Sequence, residues 1–516
     1  MTERPALDRG LLWQLAGLAV LAFLFRLVPV LLTGGLAGMI DYDDGVYMGT
    51  ALALVRGKIV YRDFYMLHPP GIVYTLTPFA MLSWAFSDAT AFAAARFGFM
   101  VLGGLNTFLV GLVASRFGRT AALASAAFYA VWLVAAKVER STWLIAPQNT
   151  LELLALLALA PTLPGPGSIP VSWRRAAVVG VLIGCCGTIQ IWGIVTAAVI
   201  FAWLFLRTFR QPGGWLRPML AYSIAGVATI AVLFLPFFLA AGTKMIRIVI
   251  FDQIGRAEAG VGLVARMRLM EGLPIAVVDR LGFPYLPVVI FVAVMATVLV
   301  LAWRRPSARL WVALFVAQSL FLLKTPSFFG HYAAWMVPAA VLSIGMVVTT
   351  LLEWAAGRPR IGQTIKVVYG AGLAGYLFIT LAPNVVGFAV ASHPFDGSGI
   401  VAAIKDARCP TSDSPSILIL TGTMRRLLDD GCPLLVSPSG VSYDTDNNLV
   451  GKERRRPNQP EYQAAMQAYF GGSDAAIFVR NPDNMGFTQA TQDLIQSKLP
   501  TLIRIGNARI YLPAGP

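Results

Sequence analysis

Apolar runs of about 20 residues, the length that crosses a bilayer as a helix, recur along the first 390 residues of this 516-residue chain. Only 13% of the residues are charged, whereas a soluble globular protein averages about a quarter. The chain is therefore predicted to be an all-α membrane protein that crosses the bilayer many times. The predicted spans are 11–32, 96–115, 120–136, 147–163, 176–190, 192–207, 217–241, 283–303, 308–323, 333–352 and 366–390.

The basic residues decide the predicted orientation. The net charge of +15 comes from 41 Lys and Arg against 26 Asp and Glu. The basic residues cluster in short loops between the apolar runs, as in cytoplasmic loops, so we attribute the charge to membrane topology and not to nucleic-acid binding. If the apolar segment 71–88 does not cross, all clusters share the side of the N terminus. These clusters are Arg4 and Arg9, Arg116 and Arg119, Arg174 and Arg175, Arg207 to Arg217, Arg304 to Arg309, and Arg358 to Lys366.

This solution predicts about eleven transmembrane helices, a cytoplasmic N terminus and an extracytoplasmic C terminus. The segment 71–88 is predicted to be an interfacial or re-entrant piece packed against the bundle. The first run is long for the apolar part of a signal peptide, and further spans follow it, so a retained helix is predicted. The predicted outer segments are 33–95, 137–146, 242–282, 324–332 and everything after 390.

The last part of the chain, 391–516, changes character and is predicted to be a small extracytoplasmic α/β domain. Cys409 and Cys432 lie in this polar region and are predicted to form one disulfide if it is outside the cytosol. The run Arg454–Arg456 is expected to be solvated. The predicted strands are Ser416–Leu420, Leu434–Ser437, Ala475–Val479 and Leu502–Ile505, and the predicted helices are Glu461–Phe470 and Gln489–Lys498.

The first outer loop, 33–95, concentrates acidic residues beside the membrane, where carboxylates are costly and point to function. Its acids include Asp41, Asp43 and Asp44. The residues that follow predict a short amphipathic helix along the membrane surface, which Gly57 would end. Its apolar face would carry Tyr47, Ala51, Leu54 and Val55. Alternatively, Asp43 or Asp44 merely caps this helix.

The order of motifs in this loop resembles that of integral-membrane glycosyltransferases of the GT-C superfamily, closest to the protein O-mannosyltransferase and lipid A aminoarabinose transferase group. The resemblance covers 1–390, which would form the transmembrane catalytic domain. The C-terminal domain is similar to the tails of actinobacterial relatives, including arabinofuranosyltransferases of cell-wall assembly. The matching residues are Asp43, Asp44, Tyr47, Gly57, Tyr61, Asp63, His68, Pro69, Pro70, Gly71, Asp88 to Arg96, Phe328, His331 and Tyr332.

The resemblance implies transfer of a sugar from a polyprenyl-phosphate donor to an acceptor hydroxyl on a cell-envelope glycan, lipid or protein, with inversion, at the outer face of a bacterial plasma membrane. It makes Asp43 the base, with Asp44 or Asp41 orienting it or binding the acceptor. The pair Asp41 and Asp43 could alternatively hold a divalent cation such as Mg²⁺, Mn²⁺ or Ca²⁺; no other cofactor is predicted.

The leaving phosphate needs cationic donors. Each candidate except His68 could equally be an interfacial anchor, and His68 could equally be a simple polar residue of the loop. Lys is common in relatives at the position of His68, and another often stands near Gln190, so this chain departs from the pattern twice. The candidates are His68, Lys324, His331, Arg256, Arg266 and Arg268, and Tyr47 and Asp63 are further candidate substrate-binding residues of the same site.

Two ionisable residues lie inside predicted spans, Arg26 in the first and Glu152 in the fourth. They are predicted to pair with each other or to line the donor groove. Two other functions stay open. A transporter or lipid flippase would show inverted repeats, and no matching halves are found. A polysaccharide polymerase or ligase would use similar chemistry and differ in transferring chains.

Overall fold

A computed structural model describes residues 8–514 except 166, 210, 212–213, 255–260, 274–281, 283–284, 392–394, 396, 439 and 444–455. It is mostly helical. The helices before the C-terminal domain are α1 Arg9–Leu31, α2 Tyr42–Val55, α3 Gly71–Met81, α4 Asp88–Ser115, α5 Arg119–Val131, α6 Leu133–Val138, α7 Ile145–Leu159, α8 Trp173–Ile189, α9 Gly193–Thr208, α10 Leu216–Ala241, α11 Thr243–Ile246, α12 Leu263–Glu271, α13 Leu286–Trp303, α14 Arg309–Lys324, α15 Val337–Trp354 and α16 Pro359–Ala391.

Seven helical stretches within the described residues are long and apolar enough to cross a membrane. The all-α membrane architecture is thereby confirmed. The other predicted spans fall on shorter helices, α5 with α6, α7, α8 and α9, so the count of eleven stays a prediction. The seven stretches are Arg9–Leu31, Asp88–Ser115, Leu216–Ala241, Leu286–Trp303, Pro306–Lys324, Gly330–Trp354 and Pro359–Leu381.

Helix α2 begins with an acidic cap. The side chain of Asp41 accepts a hydrogen bond from the backbone N–H of Asp43 at 2.9 Å. The helix dipole also favours negative charge in the first turn. The cap is therefore Asp41, not Asp43 or Asp44. The helix ends at Val55, and Gly57 follows with a φ of +80°, as predicted.

The prediction of an amphipathic helix was wrong for α2, because residues 44–53 are all buried. Its position along the membrane surface stays a prediction. The helix lies between the bundle and the C-terminal domain. A Cβ added to Gly45 would stand 2.1 Å from the Ser416 hydroxyl oxygen. The two parts of the chain therefore approach closely here, and only glycine fits at position 45.

Helix α3 has 11 residues, or about 16 Å at 1.5 Å per residue, which is short of the roughly 30 Å apolar core of a bilayer. Its length agrees with the prediction that 71–88 does not cross. A Cβ added to Gly71 would lie 2.6 Å from the backbone of Thr188. This glycine therefore lets the start of α3 pack directly on the end of α8.

The C-terminal domain carries the helices α17 Ser398–Ala403, α18 Pro415–Leu420, α19 Thr423–Asp429, α20 Pro460–Gly471 and α21 Gln489–Lys498. Its sheet has the order β1-β2-β4-β3, with β1 and β2 parallel and the other neighbours antiparallel. The strands are β1 Pro410–Ser412, β2 Ala475–Phe478, β3 Thr501–Ile505 and β4 Ala508–Leu512.

Two predicted strands and two predicted helices of this domain are confirmed as β2, β3, α20 and α21. The prediction was wrong for Ser416–Leu420, which is helix α18, and for Leu434–Ser437, which is irregular. Pro415 stands at the start of α18, where its missing N–H costs nothing. The predicted disulfide between Cys409 and Cys432 is present.

Side-chain contacts attach the C-terminal domain to the first outer loop. Arg56 at the end of α2 forms an ion pair with Asp429 at 2.8 Å. Arg425 donates hydrogen bonds to the backbone carbonyls of Ser83 and Phe86. The domain is therefore held over the loop that the sequence singled out.

The predicted pairing of Arg26 with Glu152 was wrong. Arg26 donates to Glu139 at 2.7 Å, and Glu139 is also bound by Asn106 and Tyr129. The Glu152 carboxylate instead accepts from the side chains of Gln318, Thr196 and Trp335. Both networks are buried inside the bundle and brace its helices.

Candidate functional site

A polar cavity of about 380 Å³ lies between the first outer loop and the C-terminal domain. Its walls come from the start of α2, the segment 66–68, the segment 329–332 and the C-terminal domain. The cavity brings together six residues that the sequence singled out. These are Asp41, Asp43, Tyr47, His68, His331 and Tyr332.

Asp41 and Asp43 occupy the start of α2, and both are partly buried. Burial is the main cause that raises the pKa of Asp41, to about 7, and the charges on Asp43 and Asp44 raise it further. The backbone N–H of Asp43 acts against this shift. The cavity thus holds two neighbouring carboxyl groups, one of which changes charge near neutral pH.

Asp44 points away from the cavity and is fully buried. Its carboxylate accepts two hydrogen bonds from Arg96, at 3.0 and 2.8 Å. Arg96 also donates to the carbonyls of Leu36 and Gly38 and lies 3.8 Å above the ring of Phe92. This closed pair fastens the first outer loop to α4.

His68 is held by two side chains. Its Nδ1 lies 3.3 Å from Gln253 Nε2, and its ring meets Tyr47 edge to face at 5.6 Å. Its backbone carbonyl accepts the hydroxyl of Tyr61 at 2.7 Å. Tyr61 adopts a φ of +68°, which is rare for a residue with a side chain. The turn that carries Tyr61 therefore fixes the backbone at His68.

His331 stands among aromatic rings. The ring of Trp143 lies 4.5 Å away, and Phe329 stacks nearly parallel at 5.8 Å. These contacts fix the imidazole in the wall of the polar cavity. Phe328, from the same motif, is buried beneath the loop.

Other predicted site residues lie elsewhere among the described residues. Asp63 closes its own turn, accepting the side chain of Arg62 and the backbone N–H of Ile59. Lys324 is exposed at the end of α14. Arg268 lies beside Glu271. Burial raises the pKa of the Glu271 carboxyl to about 7, and the charge on Arg268 acts against this shift. Arg256 lies outside the described residues.

The candidate Arg266 has a structural task. It is buried and donates to the backbone carbonyls of Leu322 and Thr325, at 3.0 and 2.6 Å. Those carbonyls end helix α14, where a cation is favoured by the helix dipole. Its guanidinium is thus engaged away from the polar cavity.

Sequence reasoning missed two arginines of the C-terminal domain. Arg456 and Arg480 both line the polar cavity. Arg454 and Arg455 lie outside the described residues, and Arg456 is only partly buried, so the expectation that this run is solvated stays a prediction. Arg480 donates to the buried carboxylate of Asp413 at 3.1 Å and lies 4.7 Å above the ring of Tyr42. No local pattern marks either arginine, because the residues that face them across the cavity, such as Asp41 and His68, are hundreds of residues away in the chain.

An apolar groove of about 460 Å³ runs between α8, α9 and α10. Its glycines let the helices approach closely, since a Cβ on Gly180 would lie 2.3 Å from the carbonyl oxygen of Tyr222. Ile194 and Val227 line it and are exposed, so the groove opens toward the lipid. Pro69 lines its end, and the preceding residue, His68, lines the polar cavity. Two residues adjacent in the chain, His68 and Pro69, therefore line the polar cavity and the groove respectively.

The divalent cation considered at Asp41 and Asp43 stays a prediction. Among the described residues, no group of three or more His, Cys, Asp and Glu side chains could hold a metal ion. Asp44 is engaged by Arg96, which leaves Asp41 and Asp43. Mg²⁺ is commonly held by one or two carboxylates together with waters and substrate phosphate.

No protein-family model and no curated protein matches the chain. Solved structures do. The structure of ArnT from Cupriavidus metallidurans bound to undecaprenyl phosphate aligns over 96% of this chain and 97% of its own, with a TM-score of 0.52 and 13% identity. The apo oligosaccharyltransferase of Archaeoglobus fulgidus aligns over 90% and 69%, with a TM-score of 0.57 and 13% identity. Both are GT-C glycosyltransferases, so the predicted GT-C fold is confirmed.

The titration of Asp41 predicts a pH dependence of stability. In the unfolded chain an aspartate loses its proton near pH 4, whereas folded Asp41 keeps it to about pH 7. Between these values the unfolded state binds fewer protons, so this residue lowers stability as the pH rises. Asp41→Asn cannot ionise but can still cap α2. We expect the difference in melting temperature, variant minus wild type, to be larger at about pH 8 than at about pH 5. The same difference at both pH values would contradict this prediction.

Proposed function

We propose that the protein is a glycosyltransferase that moves a sugar from a polyprenyl-phosphate donor to an acceptor hydroxyl, with inversion at the anomeric carbon. One observation carries the proposal: the polar cavity and the lipid-facing apolar groove are lined by two adjacent residues, His68 and Pro69. A donor with a long hydrocarbon tail and a polar sugar-phosphate head needs both environments next to each other. The bilayer itself supplies the path to the groove.

The groove supports a polyprenyl chain as the donor's tail. It is lined almost entirely by aliphatic and glycine residues, which bind hydrocarbon through burial of apolar surface. The similar ArnT structure was solved with undecaprenyl phosphate bound. We infer the same class of lipid for this chain. The phosphate would then lie beside His68, at the end of the groove.

The proposed reaction is a direct displacement. The acceptor oxygen bonds to the anomeric carbon while the bond from that carbon to the phosphate oxygen breaks. The acceptor proton passes to the carboxylate of Asp43, which acts as the general base. Polyprenyl phosphate leaves with the electron pair of the broken bond and needs no added proton, because phosphate is a good leaving group.

Cations around the cavity would stabilise the charge that develops on the phosphate. His68 lines the cavity next to Pro69 of the groove, and Arg456 and Arg480 line the wall formed by the C-terminal domain. Arg480 is held in place by Asp413, so little ordering is needed when the substrate arrives. In this chain arginines of the C-terminal domain would thus share the task that a lysine performs at the position of His68 in relatives.

We place the reaction at the outer face of a bacterial plasma membrane, with a cytoplasmic N terminus. The charge pattern of the loops supports this orientation. The disulfide between Cys409 and Cys432 supports an oxidising compartment for the C-terminal domain. The acceptor is a hydroxyl of a glycan, lipid or protein of the cell envelope.

The donor groove can be tested by filling it. A Cβ on Gly187 would have its nearest neighbour at 3.5 Å, so Gly187→Trp should fold and project an indole into the groove. We expect the KM for the donor to rise about tenfold with kcat little changed, since binding shared by ground and transition state is lost. The matched control is Gly372→Trp, on the exposed face of α16, where nothing lies within 4 Å.

The measurement uses membranes that contain the full-length protein and a panel of radiolabelled undecaprenyl-phosphate sugars. Transfer is followed as label leaving the donor. Equal KM values for Gly187→Trp and Gly372→Trp would contradict the assignment of the groove. Consumption of no donor by the wild-type protein, above the level of membranes without it, would overturn the proposed function.

A further inference from the structure

A second cavity, of about 630 Å³, lies beside the polar cavity. The segment 39–42 forms one side of it, and the C-terminal domain forms the other. Three residues, Asp41, Tyr42 and Arg480, line both cavities. They form a common wall, and none of the groove residues takes part in it.

The predicted topology places this cavity close to the outer membrane surface. The segment 39–42 follows the predicted first span, and Phe395, which also lines the cavity, stands four positions after the end of α16. The two helices run side by side near these ends, because Asn384 of α16 donates to the carbonyl of Phe25 in α1 at 3.3 Å. Leu31 and Leu32, just before the cavity segment, are exposed as a lipid-facing helix end would be.

The lining of the second cavity is amphipathic. Most of its surface comes from aliphatic side chains, among them Ile400, Ile417, Val479 and Ile505. A water-soluble carbohydrate chain carries hydroxyls on all sides and would leave them unpaired against these residues, which is costly. The polar groups are few and lie at one wall and the rim. They are Asp41, Ser414, Arg480 and Asn507.

The proposed displacement also restricts where an acceptor enters. A hydroxyl that inverts the anomeric carbon attacks from the side opposite the leaving phosphate. The phosphate would lie at His68 and Pro69, next to the donor groove. The second cavity adjoins the polar cavity, which holds Asp43, at the shared residues Asp41, Tyr42 and Arg480. None of these residues lines the donor groove, so an acceptor in the second cavity would approach the proposed base from a side away from the donor.

We propose that the second cavity is the acceptor site and that its occupant is a membrane-anchored lipid with a hydroxyl-bearing head. The acceptor would enter from the outer leaflet near the ends of α1 and α16, while the donor tail lies in the groove between α8 and α10. Its apolar part packs on the aliphatic lining, and its hydroxyl reaches Asp43 beside Asp41. The assignment to an acceptor rests on the proposed function; the binding of an amphipathic lipid does not.

The test fills the cavity in the full-length protein. Ile505→Trp projects an indole into it, and Asn507→Trp does so from an exposed turn that tolerates a large side chain. Leu502→Trp is the matched control, since it lies on the same strand at an exposed position of the opposite face. Binding of two probes is measured by native mass spectrometry: glucosyl diacylglycerol for the second cavity, and undecaprenyl phosphate for the groove.

We expect both cavity variants to lose glucosyl diacylglycerol binding about tenfold and to retain undecaprenyl phosphate, while Leu502→Trp retains both. In transfer assays with the labelled donor panel, the label should enter a chloroform-soluble product, and the cavity variants should lower its formation. Label found only in protein or in a water-soluble glycan would contradict the lipid acceptor but still support the proposed glycosyltransferase function. Glucosyl diacylglycerol binding unaltered by both variants would overturn the site itself. If no donor is consumed but the probe binds as expected, the lipid site stands and the proposed function falls.

Discussion

Asp43→Asn is expected to lower sugar transfer by about a thousandfold, within the range that a general base contributes. The Asn side chain keeps the shape of Asp but cannot accept the acceptor's proton. Asp43 lines the polar cavity, and its backbone N–H, which binds Asp41, is unchanged in the variant. Folding should therefore persist. The rate is measured as label transferred from the donor, and folding as elution volume and melting temperature in detergent.

The matched control for this experiment is Asp63→Asn. Asp63 belongs to the same outer loop and the same family motif, but its carboxylate is bound by Arg62 and by the backbone of Ile59. It is not among the residues that line the polar cavity. We expect this variant to keep transfer within about threefold of wild type, as surface changes usually do. Near-normal transfer by Asp43→Asn would remove Asp43 from the role of base.

The site could be predicted from sequence where its residues lie close together in the chain. Asp43, Tyr47 and His68 fall within one loop, and the glycines and prolines between them mark its turns. The loop sequence does not show which of Asp43 and Asp44 faces the cavity and which one pairs with a buried cation. Adjacent helical residues point about 100° apart, and which of them meets a cation depends on Arg96, far along the chain.

Side-chain contacts between residues far apart in the chain could not be predicted from local sequence patterns. The partner of Arg26 could have been any buried acid, and the one that meets it, Glu139, lies just after the short helix α6. Arg480 carries no motif, and its place at the cavity depends on how Asp413 and Tyr42 are brought together. Such placement depends on how whole elements pack, which periodicity does not encode.

The buried pair of Asp44 and Arg96 is expected to govern stability instead of chemistry. Asp44→Asn leaves the Arg96 guanidinium buried without its counter-charge, which costs about 3–5 kcal/mol. Arg96 would still donate to the carbonyls of Leu36 and Gly38, so the loop would loosen from α4 while keeping part of its attachment. We expect a lower melting temperature and poorer recovery of folded protein.

A double variant separates stability from catalysis. Asp44→Leu combined with Arg96→Met removes both charges together, and replacing a buried pair by apolar side chains of similar size is often close to neutral. The carbonyls of Leu36 and Gly38 lose their donor in this variant, so the double variant should recover part of the stability that Asp44→Asn loses. If Asp44 only positions the loop, the recovered protein should also transfer sugar at a measurable rate, unlike Asp43→Asn. A stable double variant as inactive as Asp43→Asn would place the Asp44 carboxylate in the reaction itself, which its closed contact with Arg96 argues against.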